Sequence, residues 1–488
     1  MSTPGTTSTP AGTPAGTPAG TPAARAPRVV VVGGGVSGLA AAHRLLARGA
    51  RVEVLEASPR TGGVLQRADV GGVLVDVGAE SVLARRPEAV DLARAAGLGG
   101  DVVHPATAAA SVLARGTAHR LPAGTVMGVP GSAEQVAGLL EPAEVERVRA
   151  EEDLPAPPLE HDVAVADYVA GRVGRAVVDR LVEPLLGGVY AGRSDRLSLR
   201  ATVPALWEHA RRGGSLLAAV RAAAAARPAA GGPVFAGVRG GVARLPEALT
   251  AHLSARGATV TTGAPVTALE RAPGGAWRVT TPAGTRTADA VVLAVPAPAA
   301  AALLRTAVPA AAAELAAVET AGMVIAALAV PTAELEGLTG SGLLVPPVEA
   351  AAAGLRVKAL TLSANKWEWV AAQRPDVRVL RVSLGRAGER EALDADDADV
   401  RRWATADASR LLGRALHPVD AAVVRWVDGL PQYAVGHRER VARLRAALAV
   451  TGGVALAGSV LDGVGVPACV AAGTRAADDA LAGLPAAG

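Results

Sequence analysis

The sequence predicts an α/β protein in which a discontinuous Rossmann-type nucleotide-binding domain carries an inserted α+β domain and a helical lobe. Three observations predict it. A strand, a glycine turn and a helix follow one another from Arg28, and a second strand ends in an acid at Glu56. A similar strand, glycine turn and helix recur from Val454, about 420 residues later. Between them a helix-patterned stretch, 133–232, precedes a strand-patterned one, 321–385. Two nucleotide-type units so far apart must share one sheet, so the chain between them is an insertion.

Residues 1–26 repeat Ala-Gly-Thr-Pro three times from Ala11 and carry no charge before Arg25, the composition of a disordered tail. They have neither the apolar core of a secretory signal nor the arginines of a transit peptide. Val29 to Val32 is an uninterrupted β-branched run, as expected of a strand buried on both faces. Gly33-Gly34-Gly35-Val36-Ser37-Gly38 follows at once. Gly33 allows the tight turn, Gly35 lets backbone approach a pyrophosphate at the helix N-terminus formed by Val36 and Ser37, and Gly38 permits close helix–strand packing. Leu39 to Ala50 reads as the helix and Val52 to Leu55 as the second strand. Glu56 stands where a carboxylate accepts both ribose hydroxyls, and its charge would repel a 2′-phosphate, which disfavours NADP. Ala57-Ser58-Pro59-Arg60-Thr61-Gly62-Gly63 then extends the unit by an arginine and a glycine pair.

Further along, Val165 to Val182 and Leu216 to Ala226 are the periodic stretches of the helical part. Val234 to Val295 returns to nucleotide-domain character, with a helix at Leu245 to Ala255, a strand at Thr259 to Thr262 and a strand at Ala290 to Val295. Met323 to Val330, Val357 to Leu362 and Val377 to Leu384 read as strands of the inserted domain. Near the C-terminus, Val454 to Ala457 is a strand, followed by Gly458, then Asp462-Gly463-Val464-Gly465-Val466-Pro467, and an alanine-rich helix from Ala468. Its turn again presents backbone N–H groups to something electronegative.

With these segments in place, the chain after residue 27 resembles the FAD-dependent porphyrinogen oxidases of haem synthesis, especially the bacterial type acting on coproporphyrinogen III, within the flavin amine oxidase superfamily. The matching stretches include Asp76-Val77-Gly78-Ala79-Glu80-Ser81, Leu121-Pro122-Ala123-Gly124, Glu183-Pro184-Leu185-Leu186-Gly187-Gly188-Val189-Tyr190-Ala191-Gly192, Asn365-Lys366-Trp367 and Pro431-Gln432-Tyr433-Ala434-Val435-Gly436-His437. The family usually has Gly-Pro-Asp-Ser at Gly78 to Ser81 and a basic residue at Val64. The resemblance implies an FAD-binding domain at 27–104 with 233–298 and 420–488, a substrate-binding domain at 105–132 with 299–419, and a helical lobe at 133–232. It also implies cofactor contacts for Gly78, Ala79, Glu80, Ser81, Val266 and Trp426, beside those of Gly33, Gly35, Val36, Ser37, Gly38, Glu56, Ala57, Arg60, Gly62, Gly63, Gly458, Val464, Gly465 and Val466. The resemblance also implies a non-covalent FAD, since the family is not noted for a covalent flavin bond, and Cys469, the one cysteine, is expected to pack at a helix start.

The implied reaction is a six-electron oxidation of coproporphyrinogen III with molecular oxygen as acceptor. Alternatives are protoporphyrinogen IX oxidation, amine oxidation, and flavin or porphyrin binding without catalysis. Such chemistry needs no catalytic triad, and the sequence offers none. Arg85 and Arg86 suit propionates as bidentate anchors, or else solvate the helix starting at Pro87. Arg193, Arg196 and Lys366 are the next candidates. Tyr190 either lines the cavity or packs, and Trp426 either adjoins the flavin or belongs to the core. No metal is expected, as the eight histidines show no ligand spacing. A net charge of +4 without a polybasic block, with 2% aromatics, argues against nucleic acid. The mean hydropathy of +0.31 rests on alanine and valine. The most apolar runs are broken by Pro296 and Pro298 or by Gly452-Gly453, so no transmembrane segment is expected. A cytoplasmic protein fits, or one peripheral to the membrane, with room for transient contact with the next haem-pathway enzyme.

Overall fold

A computed structural model describes residues 1–2, 5, 25–226 and 232–484. Most of the expected tail lies outside the described residues.

The valine run at the start of the folded chain forms the centre of a wholly parallel five-stranded sheet. Its order is Thr259–Thr261, Arg51–Leu55, Arg28–Val32, Ala290–Leu293 and Val454–Leu456. Alternation sends Val29 and Val31 to one face, under the helices Val36–Ala47, Arg244–Ala255 and Val466–Ala482. Val30 and Val32 go to the other, against Trp277, Val279 and the helices Ala297–Leu304 and Pro309–Ala316. Both faces are therefore dry, which is why the strand reads as an unbroken apolar run. A Cβ on Gly473 would stand 2.1 Å from the Ser37 carbonyl oxygen, so the last helix lies directly on the start of the first. That contact brings the two glycine turns, 420-odd residues apart in sequence, to the carboxyl end of one parallel sheet.

The second sheet has seven strands: Asp420–Pro431, Thr320–Pro331, Val377–Leu384, Val357–Leu362, Gly342–Leu344, Ala110–Ala114 and Thr117–Arg120. Val324, Ala326, Leu360, Leu380 and Val382 face a core shared with the helix Asp397–Leu412. On the opposite face Ala327, Ala329 and Val379 pack with Val73, Val75 and Val77 of the nucleotide side. The boundary expected at residue 420 is corrected here. Asp420–Pro431 pairs with Thr320–Pro331 from Asp420 opposite Ala329 to Pro431 opposite Thr320. A twelve-residue strand needs a partner along its length for its backbone groups, and the long strand of the inserted domain supplies it. The return to the parallel sheet comes only with Val454–Leu456.

The helical lobe is held by a core of Val165, Val169, Leu181, Leu186, Leu206, Leu217 and their neighbours. Val165 to Val182, expected as one periodic stretch, breaks at Gly174, whose φ of 94° and ψ of 157° leave the helical region, and continues through a π-helical turn at Val178–Val182. The apolar repeat survives the break because both pieces present the same face to the core. Among the described residues no helix is long and apolar enough to cross a membrane.

Candidate functional site

Two helices start at the carboxyl end of the parallel sheet without side-chain caps. Gly35 precedes Val36–Ala47 and Gly465 precedes Val466–Ala482, and neither offers a capping oxygen. The first N–H groups of each helix are thus free to meet an anion. The glycines divide by what a side chain would strike. A Cβ on Gly33 would stand 2.4 Å from the Ala294 carbonyl oxygen, and one on Gly38 would stand 1.9 Å from that of Gly33. On Gly35 and Gly458 it would meet nothing within 4 Å. Gly33 and Gly38 are therefore required by the fold, whereas Gly35 and Gly458 border open space, a cradle that suits a diphosphate.

The second glycine pair closes the cradle. Gly62, at φ 113°, donates its N–H to Gly34 O at 2.8 Å, and a Cβ on Gly63 would stand 3.5 Å from Gly35 Cα. Arg60 braces this turn rather than reaching outward: its guanidinium donates to Gly63 O at 2.8 Å and to Gln66 Oε1 at 2.5 Å. Glu56 accepts from Gly34 N at 2.6 Å and from Ser58 N at 2.8 Å, so Ala57 and Ser58 wrap its carboxylate at the strand end. Val266 is half-buried on the core beside this end.

Segment 76–81 crosses from the cradle to the second sheet. A Cβ on Gly78 would stand 1.8 Å from Val64 O and 3.1 Å from the Trp426 ring, so this position admits only glycine. Trp426 donates its Nε1–H to Val77 O at 3.0 Å, and Ala79 donates to Val64 O at 3.3 Å. Val64 contributes a carbonyl here and leaves its side chain exposed. Glu80 is clamped by Lys366 Nζ and Arg381 Nη1, each at 2.5 Å, with Ser81 Oγ 3.4 Å from Lys366. Arg381 also donates to Gly78 O at 2.7 Å. Burial works to raise the Glu80 pKa, but the two cations outweigh it and hold the carboxyl at about 2. The sequence expectation of a cofactor contact at Glu80 meets a carboxylate already engaged by two side chains.

The expected anchors are scattered. Arg86 turns to Glu88 at its own helix start, with Nε 3.2 Å from Oε1, and Arg85 is exposed on the same turn. Arg193 pairs with Asp195 at 3.1 Å, and Arg196 with Glu319 at 2.5 Å. Tyr190 is buried, its hydroxyl pushed up to about 12 by burial, and its ring stands 5.5 Å from Tyr433. Tyr433 in turn stacks on His437 at 3.9 Å. Gln432 donates to Tyr190 O at 2.8 Å, tying the lobe to the end of the strand Asp420–Pro431. Val464 packs on the lobe core, and Val466 is buried at the start of the last helix. Cys469 is buried near Gly463 and Val464, and burial raises its thiol to about 11.

The sequence reading missed Asp76 and Arg381. Burial raises Asp76 to about 6 even though it accepts Val242 N at 2.8 Å and Ala243 N at 3.1 Å, holding the Gly240-Gly241 turn. Its signal was an acid interrupting the apolar stretch Val73 to Val77. Among the described residues no group of three or more His, Cys, Asp or Glu is placed to hold a metal ion.

Residues 36–481 match the family model described as flavin containing amine oxidoreductase. The chain is 41% identical over 471 residues to a coproporphyrinogen III oxidase of Mycobacterium tuberculosis, covering 93% of this chain and 98% of that one. It is 31% identical over 472 residues to a coproporphyrinogen III oxidase of Bacillus subtilis, covering 93% and 97%. A crystal structure from Exiguobacterium, assigned as a protoporphyrinogen oxidase, superposes with a TM-score of 0.82 at 31% identity over 93% of this chain and 98% of that one.

Proposed function

Since the chain belongs to the family of flavin-containing amine oxidoreductases, we propose that it oxidises coproporphyrinogen III to coproporphyrin III, with molecular oxygen as acceptor and hydrogen peroxide as by-product. Its cofactor is FAD, which the cradle around Gly35 fits. The likeness to the mycobacterial coproporphyrinogen III oxidase over nearly all of both chains carries the choice of substrate.

Bound FAD supplies a hydride acceptor that is regenerated by oxygen, three two-electron rounds completing the reaction. Each methylene bridge of a porphyrinogen lies between two pyrroles, so the cation left by hydride loss is delocalised onto nitrogen and its N–H proton leaves readily. The protein is thus asked for position and exclusion of water rather than for a strong base. The N–H groups after Gly35 and Gly465 would hold phosphate oxygens and the flavin's carbonyl edge, and Glu56 would take the ribose hydroxyls. Glu80, by holding Lys366 and Arg381, fixes segment 76–81 against the sheet. Cys469 stays a protonated, packed thiol, which supports a non-covalent cofactor. The same reading sets the protein in the cytoplasm.

The test is a fluorescence time course of the FAD-loaded protein with coproporphyrinogen III and with protoporphyrinogen IX. A faster initial rate with coproporphyrinogen, and flavin released by acid precipitation, are expected. A faster rate with protoporphyrinogen moves the conclusion to the second reading, which the Exiguobacterium structure supports. Absence of flavin reduction by either porphyrinogen without oxygen overturns the enzyme assignment. In the same assay Arg86→Ala should leave turnover within about two-fold and stability within about 1 kcal/mol, because a half-exposed pair with Glu88 is worth little.

A further inference from the structure

The inserted sheet carries an irregularity where its inward face meets the helical lobe. Val357 lies opposite Leu384, but Ala359 lies opposite Ser383, so Lys358 is the extra residue of a β-bulge. A bulge lets two successive side chains take the same side, and bulges gather where a strand must re-aim a residue. Val357, Leu360 and Leu384 pack with the core on the far side of the sheet. The Lys358 ammonium instead reaches Met323, the residue paired with Trp426, with Nζ 4.0 Å from Sδ. Lys358 therefore belongs to the face that carries Trp426 and Arg381, the face turned to segment 76–81.

Lys358 is 5% exposed, and among the described residues the Met323 thioether is the one hydrogen-bonding neighbour of its ammonium. A thioether is a poor acceptor for an ammonium, and a buried charge without a partner is costly. Arg386, 8% exposed, lies nearby and donates to Val345 O at 2.9 Å. Two acids act on this pair, neither of them hydrogen-bonded to Lys358. Glu389 is 3.8 Å from Arg386 and half-exposed, and Glu183 acts on Arg386 while accepting from Ser194 N at 2.7 Å. Burial pulls the Lys358 pKa down to about 7, Arg386 pushes it the same way, and Glu389 opposes. Beside these groups Leu344 comes within 4.0 Å of the Cβ direction of Gly188, and Val189 of the same helix is 44% exposed. Met323 is itself only partly buried, and its side chain has the freedom to swing aside.

We propose that Lys358, backed by Arg386, is a carboxylate-binding site that takes a propionate of the substrate once the Met323 side chain moves off the ammonium. This rests on the porphyrinogen reading above and gives it an anchor that the engaged Arg86, Arg193, Arg196 and Lys366 do not provide. An incoming carboxylate replaces the thioether as acceptor and restores the charge that burial disfavours. The free protein thus carries an unfavourable group that binding relieves, which separates this role from a structural one.

The test uses the FAD-loaded protein and coproporphyrin III, whose binding is followed by fluorescence without turnover. Lys358→Met, of similar length and apolar, should weaken coproporphyrin III binding by roughly ten-fold or more, the worth of one charge-assisted hydrogen bond. Flavin content should be unchanged, and the melting temperature unchanged or higher. Lys358→Arg should stay within about three-fold of wild type because it keeps the charge. If Lys358→Met does not fold, or melts well below wild type while Lys358→Arg does not, the ammonium is structural and the proposal falls. Wild-type affinity in a folded Lys358→Met also overturns it, while the porphyrinogen reading stands as long as wild type oxidises coproporphyrinogen III. A wild-type protein that neither binds coproporphyrin III nor oxidises its porphyrinogen overturns both.

Discussion

Gly35→Val is expected to yield a folded protein without flavin. A Cβ at Gly35 meets nothing within 4 Å, so the valine costs the fold little. On the proposed site, its branches would fill the space in which backbone N–H groups would meet a diphosphate, and the anion would be pushed beyond hydrogen-bond reach. Flavin absorbance after gel filtration should fall below about a tenth of wild type, since every phosphate contact at this helix start is lost together. Circular dichroism and melting should match those of flavin-stripped wild type, the proper reference because bound cofactor itself raises the melting temperature. Gly38→Val is the contrast, for its Cβ would collide with Gly33 O and with the Ala294 side chain, so it should fail to fold. Stoichiometric flavin on folded Gly35→Val would mean that the cofactor lies elsewhere.

The second large effect is at Glu80. Glu80→Gln leaves Lys366 and Arg381, both largely buried, sharing one neutral amide. Breaking a buried ion pair by removing one partner costs about 3–5 kcal/mol, because the charge left behind stays desolvated. The shift of the carboxyl from its usual 4.5 to about 2 corresponds to roughly 3 kcal/mol, in the same range. Because the folded-state pKa is depressed, this stabilisation is complete above about pH 4.5 and is lost as pH falls toward 2. Denaturant unfolding at pH 7 should therefore show the full gap between wild type and variant, and the gap should narrow below pH 4.5. Equal stability at pH 7 would show that the cluster is solvated in solution. Adding Arg381→Met to Glu80→Gln should recover part of the loss, since it removes one of the stranded charges.

How far the sequence reaches is clearest at particular residues. The strand Val29–Val32 declares itself because a parallel strand covered on both faces must be apolar at every position. The glycine spacing from Gly33 to Gly38 is equally local: a turn, a close approach and a helix contact all lie within two turns of backbone. Periodicity also finds Val357–Leu362 and Val377–Leu384. It misses the break at Gly174, because the buried face resumes in phase beyond it.

By itself, then, the sequence determined that nucleotide-type turns begin and end the folded chain, and that the insertion between them is part helical and part sheet. Only the tertiary structure decided which charges meet. Glu80 lies 286 residues from Lys366 and 301 from Arg381, and no periodicity encodes such a pairing. Nor could pattern assign Asp420–Pro431 to the second sheet, since an edge strand of either sheet alternates in the same way. The bulge at Lys358 is a two-against-one count that exists only once its partner strand is in place. Propensity and apolar period act over a few residues of chain. Desolvation and charge pairing act through space, and the fold alone sets those distances.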